Sequence, residues 1–553
     1  MKNILMLSAS AAALVLSAPV AAQSQIGVTP ADADPAACAG QNNCSDIDQT
    51  NNNNSAIVSQ LGSGGISVIE QTSDIDATSA RRNTADVSQD GAGADSRIAQ
   101  SGNRQNAAVD QTGASYSEIS QQGRTQTATV QQTGDLNESF IDQNGNSNRI
   151  SVPGDLPSSA GVVQNGEGNL SIIDQNETTF SSAGVIQFGD NNQSFAQQEV
   201  RGGAGANRSD LRVLQDGNAN LSNVTQIEGD FAQARLDATV SQFGDDGNST
   251  INQSGQDNTA TVTQDSLGST IGNDSTVTQQ GEDATATISQ TGTGNTSTAT
   301  QGSPNRTTGE QTLIVVQNGA GNTSTATQFG SENFASVLQV GVANTSTITQ
   351  PGLDNDVQGP GILFNVGVEQ IGGFNESTVT QSANEGSAQI SQIGGQLTST
   401  VTQTGRANRA TAEVTQGGLQ NTSMITQTAP VPANGGPGND MTARVTQLGL
   451  NNRSTVDQTN DRGTATSSDN LVDVLQAGIN GASTVSQNGV LNTAGLEQLG
   501  LSNESSIMQT GEGNTALVGQ GGFNNLSTVT QTGDNNSASV SQGGIAAPAT
   551  PTR

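Results

Sequence analysis

The side chains here that can do chemistry are amides, hydroxyls and carboxylates, and their usual activating partners are missing. The chain has no histidine in 553 residues, and Lys2 is its only lysine. Histidine is the commonest general base and metal ligand, so neither an activated serine nor a His-bearing metal site can be assembled. Carboxylates near glycines, at Asp190, Asp245-Asp246 and Glu282-Asp283, have the right chemistry for a calcium ion. The Gly-Gly-x-Gly-x-Asp nonapeptide of calcium solenoids is missing, however, so these read as solvated charges that resist premature aggregation. Two carboxylates on neighbouring turns would resemble the solenoid enzymes that cleave polysaccharides, but those have aromatic clefts and Tyr116 is the one tyrosine here. No Gly-rich phosphate loop precedes a helix. Asn-x-Ser/Thr triplets such as Asn295-Thr296-Ser297 follow from the repeat described next and carry no glycosylation inference. The expectation is a protein that is not an enzyme and holds no cofactor or metal. What remains is the primary amide, donor and acceptor at once, whose best partner is another amide.

The amides are regularly spaced. Starting at Gln476, then Gln487, Gln498, Gln509, Gln520 and Gln531, each unit reads Gln-x-Gly-x-x-Asn-x-(Ala/Ser)-x-(Val/Ile/Leu)-x and closes at Gln542. Only the first departs, with Gly481 in the Asn place. The phrase recurs at Gln317, Gln328, Gln339 and Gln350, and at Gln370, Gln381, Gln392 and Gln403. A short fixed period means stacked identical elements.

Within a unit, Asn322 to Gln328 alternates Asn, Ser, Ala, Gln on one face with three threonines on the other, the two-residue period of a β-strand. Phe329-Gly330-Ser331-Glu332 then reads as a corner. The predicted fold is an all-β solenoid with eleven residues per strand and turn. Two units make a 22-residue rung, and a three-sided coil remains open. The face with Val, Ile or Leu is the inside, so its Asn and Gln must be paired, each with the same residue one rung away. The predicted ladder comprises Gln328, Asn333, Gln339, Asn344, Gln350, Gln487, Asn492, Gln498, Asn503, Gln509, Asn514, Gln520, Asn525, Gln531, Asn536 and Gln542. Gly489, Gly500, Gly511, Gly522 and Gly533 are the predicted turn glycines. Roughly twenty-two rungs at about 4.8 Å give a rod on the order of 100 Å.

Composition agrees with a thin core. Apolar residues are 31%, aromatics 2%, and tryptophan is absent. Such a chain with net charge −32 would read as disordered without the period. The acidic balance speaks against nucleic acid and anionic membrane surfaces. Residues 1–22 read as a secretory signal peptide, with Lys2, a short apolar run ended by Pro19, and Val20-Ala21-Ala22 as the cleavage site. No other segment approaches a membrane-spanning length. Residues 23–49 form a leader whose Cys38 and Cys44 are expected to pair as a disulfide. Residues 50–542 are the array, with insertions near 152–161, 200–210, 302–312, 351–365, 429–440 and 459–470, and 543–553 read as a disordered tail. The repeats run almost to Arg553, so no C-terminal barrel of a self-exporting adhesin is expected.

Asn333-x-Ala335-x-Val337-x-Gln339-x-Gly341-x-x-Asn344, Gln520-x-Gly522-x-x-Asn525-x-Ser527-x-Val529-x-Gln531 and Asn536 to Gln542 resemble the curlin repeat of curli fibre subunits, the functional amyloids of bacterial biofilm matrix. The resemblance covers most of residues 50–542. It implies export through the periplasm and a dedicated outer-membrane secretion pore, a curli-type nucleator, and self-assembly into extracellular fibres that serve adhesion and biofilm structure. It also implies that the leader addresses the chain to that pore. The chain departs from a typical curli subunit in its many more repeats and its insertions, which suits a long matrix or accessory subunit. The alternative function is a monomeric surface solenoid. Its outer Thr ladders, such as Thr323/Thr325/Thr327 and Thr345/Thr347/Thr349, resemble those of ice-binding solenoids.

Overall fold

Alternating Thr-x-Thr segments cannot bury a helical stripe but fit a pleated strand, and a glycine after each closing Gln lets the chain turn. The computed structural model of the chain describes residues 42–51, 53–73, 82–146, 149–150, 161–179, 181–200, 209–228, 235–266, 271–302, 310–352, 356–357, 367–382, 385–405, 410–429, 440–460 and 469–551. All regular structure in them is β-strand.

The strands form two parallel sheets. Sheet one has twenty strands, from Asn43–Thr50 to Leu526–Thr532. Sheet two runs from Ser55–Gln60 to Ser537–Gln542. Strands alternate between the sheets, two rungs of sheet two being made of two short segments each (Arg149–Ile150 with Val162–Asn165, and Asp356–Val357 with Val368–Gly373), so the coil is two-sided. Twenty rungs at the ordinary strand spacing give a rod of about 90 Å. The count falls short of twenty-two because insertions lengthen some turns.

Register is independent of those insertions. Ladder glutamines on adjacent rungs are 22 residues apart where the array is regular, as for Gln487 and Gln509. They are 32 apart from Gln143 to Gln175 and 31 from Gln350 to Gln381. In every case Gln meets Gln. Most of the insertion residues, the signal peptide and Cys38 lie outside the described residues. Cys44 is disulfide-bonded.

The core is one residue thick. Ile98, Ile119, Ile141 and Ile173 stack in sheet one, and Val240, Val262, Ile288 and Val315 in sheet two, all buried. Next to that aliphatic column sheet one carries serine on rung after rung (Ser297, Ser324, Ser346, Ser377). Sheet two mostly carries alanine there, as at Ala388, Ala412 and Ala443.

Corners need glycine for a steric reason as well as a conformational one. Gly489 has φ +124°, and a β-carbon there would stand 2.1 Å from the Gly511 carbonyl oxygen of the next rung. The residue before the inward Asn is also left-handed, although it is seldom glycine: Leu491 has φ 58° and Phe374 the same. Beyond Gln542 the stack stops. Where the sequence suggested a frayed tail, residues 543–551 turn back along the outer face of sheet two, and Ala546 and Pro551 lie over Gly519 and Gly495, which have no outer side chain.

Candidate assembly interface: amide ladders and open ends

The inward Gln closes each strand, so the stack brings these residues into two columns. Both are unbroken. In sheet one, nineteen consecutive Nε2–H to Oε1 bonds run from Gln49 to Gln531, each 2.6–3.0 Å. In sheet two another nineteen run from Gln60 to Gln542. In each bond the earlier residue donates to the later.

The second N–H fixes that direction. Gln328 donates to the Thr312 carbonyl at 3.1 Å and Gln339 to the Thr323 carbonyl at 2.9 Å, both in the facing sheet. A backbone oxygen can face only the nitrogen of an amide, so flipping the group would set two acceptors against each other. Each Gln thus ties rung to rung and sheet to sheet, which is how a buried amide is satisfied.

Gln328 and Gln350 belong to one column and Gln339 to the other. Gln487, Gln509 and Gln531 lie in sheet one; Gln498, Gln520 and Gln542 lie in sheet two. The asparagines make shorter runs. Asn344 bonds Asn322 at 3.0 Å, Asn514 bonds Asn492 at 3.1 Å, Asn536 bonds Asn514 at 2.9 Å, and Asn525 bonds Asn503 at 3.0 Å. Here the later residue donates to the earlier, opposite to Gln. Asn333 donates instead to the Phe329 and Gly352 carbonyls. Leu236, Leu397 and Met441 take the Asn place on other rungs. The glutamine column is therefore the continuous one.

Both ends leave this machinery open. The outermost strand of sheet two, Ser537–Gln542, alternates exposed and half-buried residues, and Ala538 and Val540 end the core only partly covered. At the other end Ala56 and Val58 are likewise partly covered, and Asp46 to Thr50 are exposed. Gly500 and Gly511 each press on a glycine carbonyl above them, whereas no atom outside its chain neighbours lies within 4 Å of a β-carbon built on Gly522. The last rung is shaped like an interior rung without its neighbour.

The outer face of sheet one carries the Thr ladders expected from the sequence and a carboxylate pair that the sequence obscured. Thr250, Thr276, Thr298, Thr325, Thr347, Thr378 and Thr400 form one column. Beside it stand Thr278, Thr300, Thr327, Thr349, Thr380, Thr402 and Thr426. Insertions of unequal length scatter these residues in sequence, and the register shows that each column runs through seven rungs without a break. Nearer the start, Tyr116 stacks on Phe140 at 5.4 Å and donates to Glu118 at 2.8 Å. Asp142 and Asp174 stand in register one rung apart. Burial, with the negative charges of Asp142 and Glu199 adding to it, pushes Asp174 up to about 6. Burial raises Asp142 too, against a hydrogen bond from Ser120. These carboxylates hold protons more tightly than free ones, and among the described residues neither histidine nor lysine stands beside them.

Among the described residues no three His, Cys, Asp or Glu side chains are grouped to hold a metal ion, and no helix is long and apolar enough to cross a membrane. A family model described as the curlin associated repeat matches residues 123–152, 234–265, 330–358, 483–511 and 511–544. A comparison with curated proteins finds no match. With five matches spread over a two-sided stack of the same unit, the chain carries curlin associated repeats.

Proposed function

We propose that this protein is a secreted structural subunit that joins end to end into curli-like amyloid fibres, serving cell adhesion and biofilm matrix at the bacterial surface. The observation that carries the reading is the shared direction of the two glutamine columns. At the last rung Gln531 and Gln542 each have one N–H left over after bonding Thr515 and Leu526. At the first rung Gln49 and Gln60 are the residues whose Oε1 receives no ladder bond among the described residues. Donors at one end and acceptors at the other suit head-to-tail addition of identical copies, which continues both sheets and buries the open edges. Export through a curli-type pore and growth from a nucleator belong to the same reading, as does a non-enzymatic role.

The test removes the donors of the last rung. Gln531→Glu with Gln542→Glu replaces both N–H groups of each amide, the free one and the one held by the Thr515 or Leu526 carbonyl, by a carboxylate oxygen. Seeds of the parent protein are expected to take up at most one variant copy, through its intact Gln49 and Gln60 end, and then to stop at neutral pH; growth is expected to return in part near pH 4, where a protonated Glu has one O–H to donate, relative to the parent at the same pH. Equal elongation at both pH values would refute head-to-tail joining through the ladders.

The Thr array favours a second reading, a rod whose flat hydroxyl face binds ice or another flat ligand. A mature chain that stays monomeric and inhibits ice recrystallisation, with the inhibition lost on Thr325→Val and Thr347→Val, would put that reading first.

A further inference from the structure

One corner of sheet two changes character halfway along the rod. Each corner there turns two side chains outward, the residue after the ladder Gln and the residue after the turn glycine. In the first half those places include Asp135, Glu167, Asp190 and Asp245. From Gln339 onward they hold aliphatic residues, phenylalanine or glycine on eight consecutive rungs. Val342, Ile393, Leu419, Leu450, Leu501 and Phe523 are 37–71% exposed. The glycines leave no notches, because Leu419 Cδ2 lies 3.2 Å from the place of a β-carbon on Gly395 and Leu448 Cδ2 lies 3.0 Å from that on Gly417. The result is an apolar stripe about 35 Å long at the strand spacing. None of the four residues that follow the ladder Gln in these eight corners is charged, in a chain of net charge −32.

We propose that this stripe is where two copies of the protein lie side by side, stripe against stripe, and that it operates between fibres. An exposed apolar patch on an otherwise acidic surface marks a contact site. Nucleic acid and anionic lipid are disfavoured as occupants by the acidic faces around it. A second copy presents the same uncharged strip, so the two close with their carboxylates turned outward, a self-complementary contact. Size decides when it forms. A strip of roughly 35 by 10 Å offers about 350 Å² per copy, well below the roughly 800 Å² per partner of a stable pair. Single rods therefore pair weakly. Rods joined end to end bring many stripes into one line, and the contacts add. That cooperative part rests on the end-to-end reading; the stripe as a contact between copies does not.

The test is the triple variant Leu419→Asp, Leu450→Asp and Leu501→Asp in the mature chain. Asp190 and Asp245 already occupy the equivalent corner place, so the fold accommodates the change. Elongation rates are expected to stay within about twofold of the parent, while bundles seen by electron microscopy thin to single rods. Bundles of parental width would overturn the proposal. Leu450→Cys supplies a second readout: oxidation of its fibres is expected to give disulfide-linked dimers, and Asp190→Cys is not. If the parent forms no fibres, the end-to-end reading fails by itself. Sedimentation of concentrated rods then decides the stripe, which requires weak dimerisation lost in the triple variant and is overturned if the two proteins behave alike.

Discussion

The corners at Asp190 and Asp245 and those at Leu419 and Leu450 share a backbone and differ in everything outside it. The glycine before each has φ 91°, 86°, 109° and 113°, and the residue after each is left-handed at 54–58°. Inside, all four follow a ladder Gln. The force holding the corner differs. Asp190 and Asp245 accept the backbone N–H of Glu167 and Asn218 on the preceding rung, each at 2.8 Å. In the second half leucine covers the neighbouring glycine instead. The interior is fixed by stacking, while the exterior is free to be acidic in one half and apolar in the other.

The largest test of that comparison removes the shared element. Replacing Gln520 and Gln531 by Leu interrupts both columns near the growing end and strands partner amides at about 1–3 kcal/mol each. Fibre growth is expected to slow at least tenfold, and unchanged kinetics would remove the ladder argument. If the interior is equivalent along the rod, Gln215→Leu and Gln476→Leu should lower thermal stability by similar amounts. A loss confined to one half, read by local hydrogen exchange, would break the equivalence.

A smaller effect separates the halves by pH. Asp174 and Asp142 lie in the first half with raised pKa values. A carboxyl whose folded pKa is raised adds stability that is complete below its unfolded value, about 4, and is lost as pH rises through its folded value, about 6 for Asp174. Hydrogen exchange around Asp174 is therefore expected to slow between pH 7 and pH 5, more than around Thr455. Asp174→Asn should flatten the difference.

Swapping corner chemistry is worth less. Asp190→Leu forfeits one hydrogen bond to backbone, about 1 kcal/mol. The smallest change concerns the sheets. Ser324 and Ser346 bury hydroxyls that have no hydrogen-bond partner. Ser324→Ala, which gives sheet one the residue sheet two uses, should leave stability within about 0.5 kcal/mol or raise it slightly. A loss of 2 kcal/mol in thermal denaturation would show that the hydroxyl matters.

The strand, the corner and the inward Gln were legible because their spacing recurs in the primary sequence. The two-unit rung of 22 residues is legible too, and the signal that closes the three-sided alternative is present: Ser483, Ser505 and Ser527 alternate with Ala494, Ala516 and Ala538, a superperiod of two units that fits a two-sided coil. The Asn column is legible in the regular C-terminal units and is interrupted elsewhere, where Leu236 and Met441 fill the same buried place. The outer Thr ladders are legible within single units, but their length along the rod is not, and the apolar stripe is hidden for the same reason. Both depend on which residues stack, and insertions change their separation in sequence without changing their register.

Fibre diffraction from the mature chain, residues 23–553, assembled at neutral pH tests the central claim most directly. End-to-end joining through continuous ladders predicts a meridional reflection near 4.8 Å, unbroken across subunit junctions, with growth that is seeded by preformed fibres. A stable monomer with β-rich circular dichroism, no such reflection and no seeding would contradict it.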